Sequence, residues 1–379
     1  MKKLYLMTPG PTPVPEQVLL EMARPIIHHR TTQFQQIIKE VEEDLKYIFQ
    51  TKNDCLIFAS SGTGGMEAAV CNLLSADDRA IVVRGGKFGE RWTEICNAYK
   101  IKSINIDVEW GKAPTPKIIE DALKKEPQAK AVFTTLCETS TGAETDIKSI
   151  AAVVLKTKAV LVVDAISGLG SCELKTDQWG VDVVVTGSQK GLMIPPGLAF
   201  VSVSPKAWEL VKDSKSPRYY FDFQSYKKAL DKTDTPFTPA ITLMIGLARA
   251  LKMIKDETLD GVLARHKRLA MATRQAVVAM GLELFAPTAP SAAVTPVKAP
   301  SGIDSEQIVK LLKSKYGIWV AGGQAELKGK VFRIAHLGYM TDTDILMTIG
   351  ALEMVLIELG VKIKQGAGIV AAQSELMKK

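Results

Sequence analysis

From residue 55 onward the chain alternates short apolar runs with amphipathic stretches of helical length. The apolar runs fall at 55–59, 80–83, 101–108, 131–135, 159–163, 181–186 and 198–203, and helical patterns fill 66–74, 90–99, 115–125 and 147–156. Strands that alternate with helices predict an α/β fold with a seven-stranded, mostly parallel sheet between helices. Ligands of such sheets collect at the carboxyl ends of the strands. The pattern changes after Thr238-Pro239. Two long helices are expected at 240–256 and 258–280, then a smaller α+β unit with strands near 292–297, 317–320 and 331–335 and helices near 304–314 and 341–359. The opening Thr8-Pro9-Gly10-Pro11-Thr12-Pro13-Val14-Pro15 is too rich in proline for a helix or a central strand. The expected organisation is an extended arm over 1–20, a large domain over 21–262 and a small C-terminal domain over 263–379.

At 379 residues the chain is long enough for two domains. An apolar fraction of 46% and a charged fraction of 23% are those of an ordinary globular protein. The net charge of +7 is spread over helical faces and is not interleaved with aromatics, so no nucleic-acid partner is expected. Five cysteines, odd in number and without a Cys-x-x-Cys pair, argue against a disulfide framework or a metal site. No apolar run reaches the roughly 20 residues of a membrane span, and the N-terminus lacks a targeting core, so a cytoplasmic setting is expected.

Two side chains stand out against this background. Asp164 closes one apolar run, and Lys190 follows the next in Gly187-Ser188-Gln189-Lys190-Gly191. Neighbouring strands would deliver both to one sheet edge. A lysine amine can form a Schiff base with pyridoxal phosphate, and a carboxylate can keep its pyridine nitrogen protonated. Either residue alone is more often structural. Ser61-Gly62-Thr63-Gly64-Gly65-Met66-Glu67 opens a helix and suits a phosphate at its N–H groups, or is a simple cap. Phe88, between glycines at a strand-to-helix junction, could stack on a planar ring or cover the core. Glu138-Thr139-Ser140-Thr141-Gly142 offers hydroxyls, or a turn. Arg333, within the apolar Val331-Phe332-Arg333-Ile334-Ala335, must meet a substrate carboxylate or an internal salt bridge, because a buried guanidinium needs an anion.

These segments occur together and in order from the Pro-rich arm to Phe332-Arg333-Ile334, and with them the chain resembles the class V aminotransferases of fold type I. The similar branch holds the alanine–glyoxylate, serine–glyoxylate and serine–pyruvate aminotransferases. The resemblance implies that Lys190 carries pyridoxal 5'-phosphate, that Asp164 faces the pyridine nitrogen and that Phe88 takes the stacking place. It implies cofactor contacts from Thr63, Gly64, Gly65, Gln189 and Thr139, and substrate contacts from Arg333 and Gly10. Thr238 would reach the cofactor phosphate of a neighbouring subunit, which implies a homodimer with sites at the interface. Some relatives carry a tyrosine where this chain has Thr235 and a histidine where it has Gly65.

The implied reaction is a ping-pong transfer of an amino group from alanine or serine to glyoxylate or pyruvate. An aspartate-using enzyme is the alternative, with Arg30 a residue that could lie near the pocket. A fold type I lyase is less favoured, because Gln189 and not a histidine precedes Lys190 and the smaller domain has no cysteine in a Gly/Ser-rich loop. A nucleotide-binding module using Thr63-Gly64-Gly65 would leave the Asp164–Lys190 pair without a role.

Overall fold

The computed structural model describes residues 3–378; Met1, Lys2 and Lys379, at the outer ends of the expected arm and small domain, lie outside the described residues. The large sheet has seven strands in the order Cys55–Phe58, Ala199–Val203, Val183–Gly187, Val160–Asp164, Ala131–Thr135, Arg79–Arg84 and Lys102–Asp107. Only Ala199–Val203 runs against its neighbours. The expected seven-stranded, mostly parallel sheet is thus borne out.

The central strands are buried on both faces, which is why they read as unbroken apolar runs. Alternate side chains serve different cores. Leu161 and Val163 join one apolar cluster, while Val160 and Val162 join the other. Helices Gly62–Leu73 and Lys87–Ala98 cover the second cluster, and each begins where a strand ends at the sheet's carboxyl edge. Opposite them lies Thr32–Phe49, capped by Thr31 and buried through Phe34, Ile38, Val41, Leu45 and Phe49. Its spacing of apolar positions is that of an amphipathic helix.

The two long helices form as Ile241–Glu257 and Leu259–Ala279, and residue 262 falls inside the second. The small domain is built on Val294–Lys298, Val331–Ala335 and Ala321–Gly322, all antiparallel, with Asp342–Glu358 and Ala367–Leu376 packed behind. Thr341 and Asp344 form a reciprocal capping box at the start of Asp342–Glu358.

The extended arm is shorter than expected. It ends at Pro15, and Glu16–Met22 is helical. Proline at the cap position loses nothing by lacking an N–H, and no later proline opposes the first turn. The arm docks onto the small domain: Tyr5–Leu6 pair in parallel with Ile318–Trp319. Met7 then donates to the Trp319 carbonyl and accepts from the Ala335 N–H. Gly317, at φ +70, lets the arm pass so close that a Cβ there would lie 2.2 Å from the Lys3 carbonyl.

Candidate active site

Asp164 is the last residue of its strand and is buried. One carboxylate oxygen accepts the Ile166 N–H at 2.8 Å. Burial raises its pKa to about 7, because the cavity supplies too little water for the charged form. The adjacent strand, Val183–Gly187, runs into the loop that carries Lys190. Ser188 fixes that loop: its N–H donates to the Leu198 carbonyl and its hydroxyl to the Pro195 carbonyl, at 2.9 and 2.8 Å. The arm completes the clamp. Thr12 donates from its hydroxyl to the Lys190 carbonyl at 3.0 Å and from its N–H to the Gln189 carbonyl at 3.1 Å.

The Lys190 amine is buried and donates to the Pro9 carbonyl. Burial lowers its pKa to about 8, with the opposing charge of Asp164 partly restoring it. The neutral amine is therefore roughly a tenth of the population at pH 7, far more than for a lysine in water.

Lys190 and Asp164 line one cavity of about 250 Å³, together with Gly10, Thr63, Phe88, Thr139 and Gln189. Seven residues picked from the sequence thus face a common space. Gly64 and Gly65 do not. A Cβ on Gly64 would lie 1.8 Å from the Ser60 hydroxyl, and one on Gly65 would lie 2.9 Å from Val185. These glycines let the helix sit tightly on the sheet, and the histidine found at the second position in some relatives would not fit this packing. Thr238 lines a separate apolar cavity with Cys55, Tyr220 and Phe237. Arg30 is committed to Asp234 and to the Thr235 carbonyl.

Arg333 reaches the site's edge from the small domain. Its Nε donates to the Gly322 carbonyl and its Nη1 to the Thr139 carbonyl, each at 2.9 Å. Both partners are neutral. Burial lowers its pKa to about 10, so it stays cationic at neutral pH without a carboxylate in ion-pair contact among the described residues. A guanidinium held that way is primed for an anion.

Sequence reasoning missed several members. Arg91 and Ser167 line the cavity, and Ser167 accepts from the Thr139 hydroxyl at 2.6 Å. Glu138 is buried and caps a helix from a different strand, accepting the N–H groups of Phe88 and Gly89 at 3.2 and 2.9 Å and the Ser140 hydroxyl at 2.5 Å. Phe88 owes its position to that carboxylate. The one sequence signal for Arg91 was its i,i+3 spacing from Phe88.

The cavity has the marks of a ligand site. The Gln189 side-chain oxygen is buried without a partner, which is costly unless a ligand supplies the donor. Ser61, at the start of Gly62–Leu73, makes no side-chain cap, so the helix start is open to an anion. A Cβ on Gly10 would lie 2.3 Å from the Lys190 amine, so that edge is kept clear.

Comparison with known proteins agrees with this geometry. The family Aminotransferase class-V matches residues 4–345. A protein named soluble hydrogenase, small subunit, from a Synechococcus strain is 47% identical, over 99% of this chain and 98% of its own. L-aspartate–glyoxylate aminotransferase of Paracoccus denitrificans is 38% identical over 96% of this chain and 94% of its own, and serine–glyoxylate aminotransferase of Methylorubrum extorquens is 36% identical over 98% and 96%. Among solved structures, ureidoglycine–glyoxylate aminotransferase of Bacillus subtilis superposes with a TM-score of 0.95 at 29% identity, covering 100% of this chain and 99% of that one. The chain belongs to the class V aminotransferases, enzymes of fold type I whose cofactor is pyridoxal phosphate.

Proposed function

We propose that this aminotransferase moves the amino group of a small amino acid, serine or alanine, to glyoxylate or pyruvate. The observation that carries the reading is Arg333, a buried cation with only carbonyl partners, which offers one clamp for one carboxylate. The shared word glyoxylate in the names of three similar proteins supports the acceptor. The Paracoccus relative favours a second reading, in which aspartate is the donor.

The residues fit the cofactor. Lys190 would hold its aldehyde carbon, Asp164 its ring nitrogen, Phe88 a ring face, and Thr63 with the helix start its phosphate. When bound, pyridoxal phosphate supplies a pyridine ring that takes up negative charge as a Cα–H bond breaks. The chain's own groups do the rest. The Lys190 amine, lowered to about 8, can accept a proton and return it at an adjacent carbon. Asp164, given a cationic partner, would ionise and hold that partner's proton in place. Arg333 would orient the substrate carboxylate, and Thr12 and Pro9 would fix the amine's approach.

A homodimer with Thr238 at the neighbouring site belongs to the same proposal, as does a cytoplasmic setting. Exposed Leu20, Ile26 and Tyr219 support the first, and five buried, unpaired thiols support the second. The test is direct. Borohydride reduction of the purified yellow protein should attach the cofactor to Lys190, as read by peptide mass. A panel of serine, alanine and aspartate against glyoxylate, pyruvate and 2-oxoglutarate should then give its highest kcat/KM with a monocarboxylic donor. A tenfold preference for aspartate would select the second reading.

A further inference from the structure

Arg91 has no part in the reaction as described so far, yet it lines the Lys190 cavity. It lies one turn beyond Phe88 on Lys87–Ala98, so the two side chains leave the helix on one face. Its Nη1 donates to the Thr63 hydroxyl at 3.2 Å, and its guanidinium carbon sits 5.0 Å from the Phe88 ring centroid. Several other arginines of this chain have acidic partners, among them Arg84 with Asp107, Arg218 with Asp222 and Arg265 with Glu257. Among the described residues no carboxylate lies within ion-pair distance of Arg91. It is a half-buried cation whose partners are a hydroxyl and an aromatic ring.

Thr63 decides which anion this cation awaits. It stands in the first turn of Gly62–Leu73, where helix N–H groups and the macrodipole favour negative charge. A threonine hydroxyl that accepts from Arg91 keeps its own proton to donate. Arg91, Thr63 and the helix start therefore form one end of the cavity, whereas Arg333 enters at Thr139. We propose that Arg91 binds the phosphate of the cofactor together with Thr63, and that its contact with the Phe88 ring ties the phosphate end to the stacking face. The inference rests on the pyridoxal phosphate reading and adds a residue to it.

The test titrates apo-protein with pyridoxal phosphate and, separately, with pyridoxal, which has the same ring and aldehyde but no phosphate. Binding is followed by absorbance, for wild type, Arg91→Met and Arg91→Lys. Arg91→Met should weaken pyridoxal phosphate about 10- to 100-fold, as expected for loss of a charge-assisted contact, and change pyridoxal by less than about twofold. Arg91→Lys, which keeps the charge and loses the fork, should fall between. As a second readout, inorganic phosphate should raise the melting temperature of wild-type apo-protein and not that of Arg91→Met. Unchanged affinity for pyridoxal phosphate overturns the proposal, and so does an equal loss for both ligands, which would assign Arg91 to support of Phe88 alone. If only the KM of a dicarboxylic acceptor rises, Arg91 belongs to the substrate. A wild-type protein that binds neither aldehyde sinks the cofactor reading itself.

Discussion

Pro9 and Lys190 stand 181 residues apart in the chain, and the amine of the second donates to the carbonyl of the first. The N-terminal arm is thus a wall of the cavity. It sets where the amine can point, because the Thr12 hydroxyl holds the Lys190 carbonyl from the same side.

Gly10→Ala tests that wall. Gly10 has φ +139, and an added Cβ would lie 2.3 Å from the Lys190 amine. The variant should lose about 10²-fold in kcat/KM, the scale of a 1 Å misplacement, and its apo-protein should melt at a lower temperature, because alanine is strained at that φ. Wild-type kcat/KM in this variant would show that the arm does not position the amine.

Lys190→Ala should abolish turnover while equilibrium dialysis still detects bound pyridoxal phosphate. The phosphate and stacking contacts do not depend on the amine, whereas proton movement at the substrate carbon does. Turnover at even a tenth of the wild-type rate would remove Lys190 from its role.

Lys190 also sets a pH dependence. Its folded pKa of about 8 lies below the ordinary 10.5, so the nucleophilic amine gains population as pH rises through 8. The rate at which apo-protein takes up pyridoxal phosphate, measured by stopped-flow absorbance, should rise to a plateau above that pH. A rise continuing toward 10.5 would place the amine in water.

Asp164→Asn should separate stability from function. The folded pKa of Asp164, about 7, lies above the ordinary 3.8, so the folded apo-protein binds the proton more tightly than the unfolded chain. Its stability is lost as pH rises from about 4 to 7. Asparagine carries no charge to desolvate. The variant apo-protein should match wild type near pH 4 and be more stable at pH 8, by roughly 1–4 kcal/mol. Turnover should fall about 10²- to 10³-fold, since the charge facing the ring is gone. Equal denaturation midpoints at pH 8 would contradict the burial argument.

Arg333→Lys should raise KM for amino donor and acceptor alike, with kcat/KM down about 10²-fold, because an ammonium cannot grip a carboxylate at two points. Affinity for pyridoxal phosphate should stay within about twofold of wild type. A loss confined to cofactor binding would move Arg333 away from the substrate.

Much of the sheet was legible because parallel strands buried on both faces leave unbroken apolar runs, as at Val160–Asp164 and Val183–Gly187. Asp164 and Lys190 could be placed on one edge from strand order alone. Thr32–Phe49 went unread although its apolar spacing and Thr31 cap were present in the sequence. The reach of Glu138 to the Phe88 N–H was illegible for a different reason. It joins residues 50 apart through a turn that no local pattern specifies. Gly64 and Gly65 were ambiguous, because a glycine needed for close helix–sheet packing, as both are here, and one needed for ligand approach look alike in sequence. The arm's attachment to Ile318–Trp319 depended wholly on tertiary contact.

That attachment has a consequence for biosynthesis. The Tyr5–Leu6 strand leaves the ribosome long before its hydrogen-bonding partners at Gly317, Trp319 and Ala335 are made. The arm residues beside the reactive amine therefore wait for the small domain to be made before they are anchored, however soon the large sheet condenses. A nascent chain stopped before Gly317 could hold Asp164 and Lys190 in place and still lack the anchorage of the Tyr5–Leu6 strand.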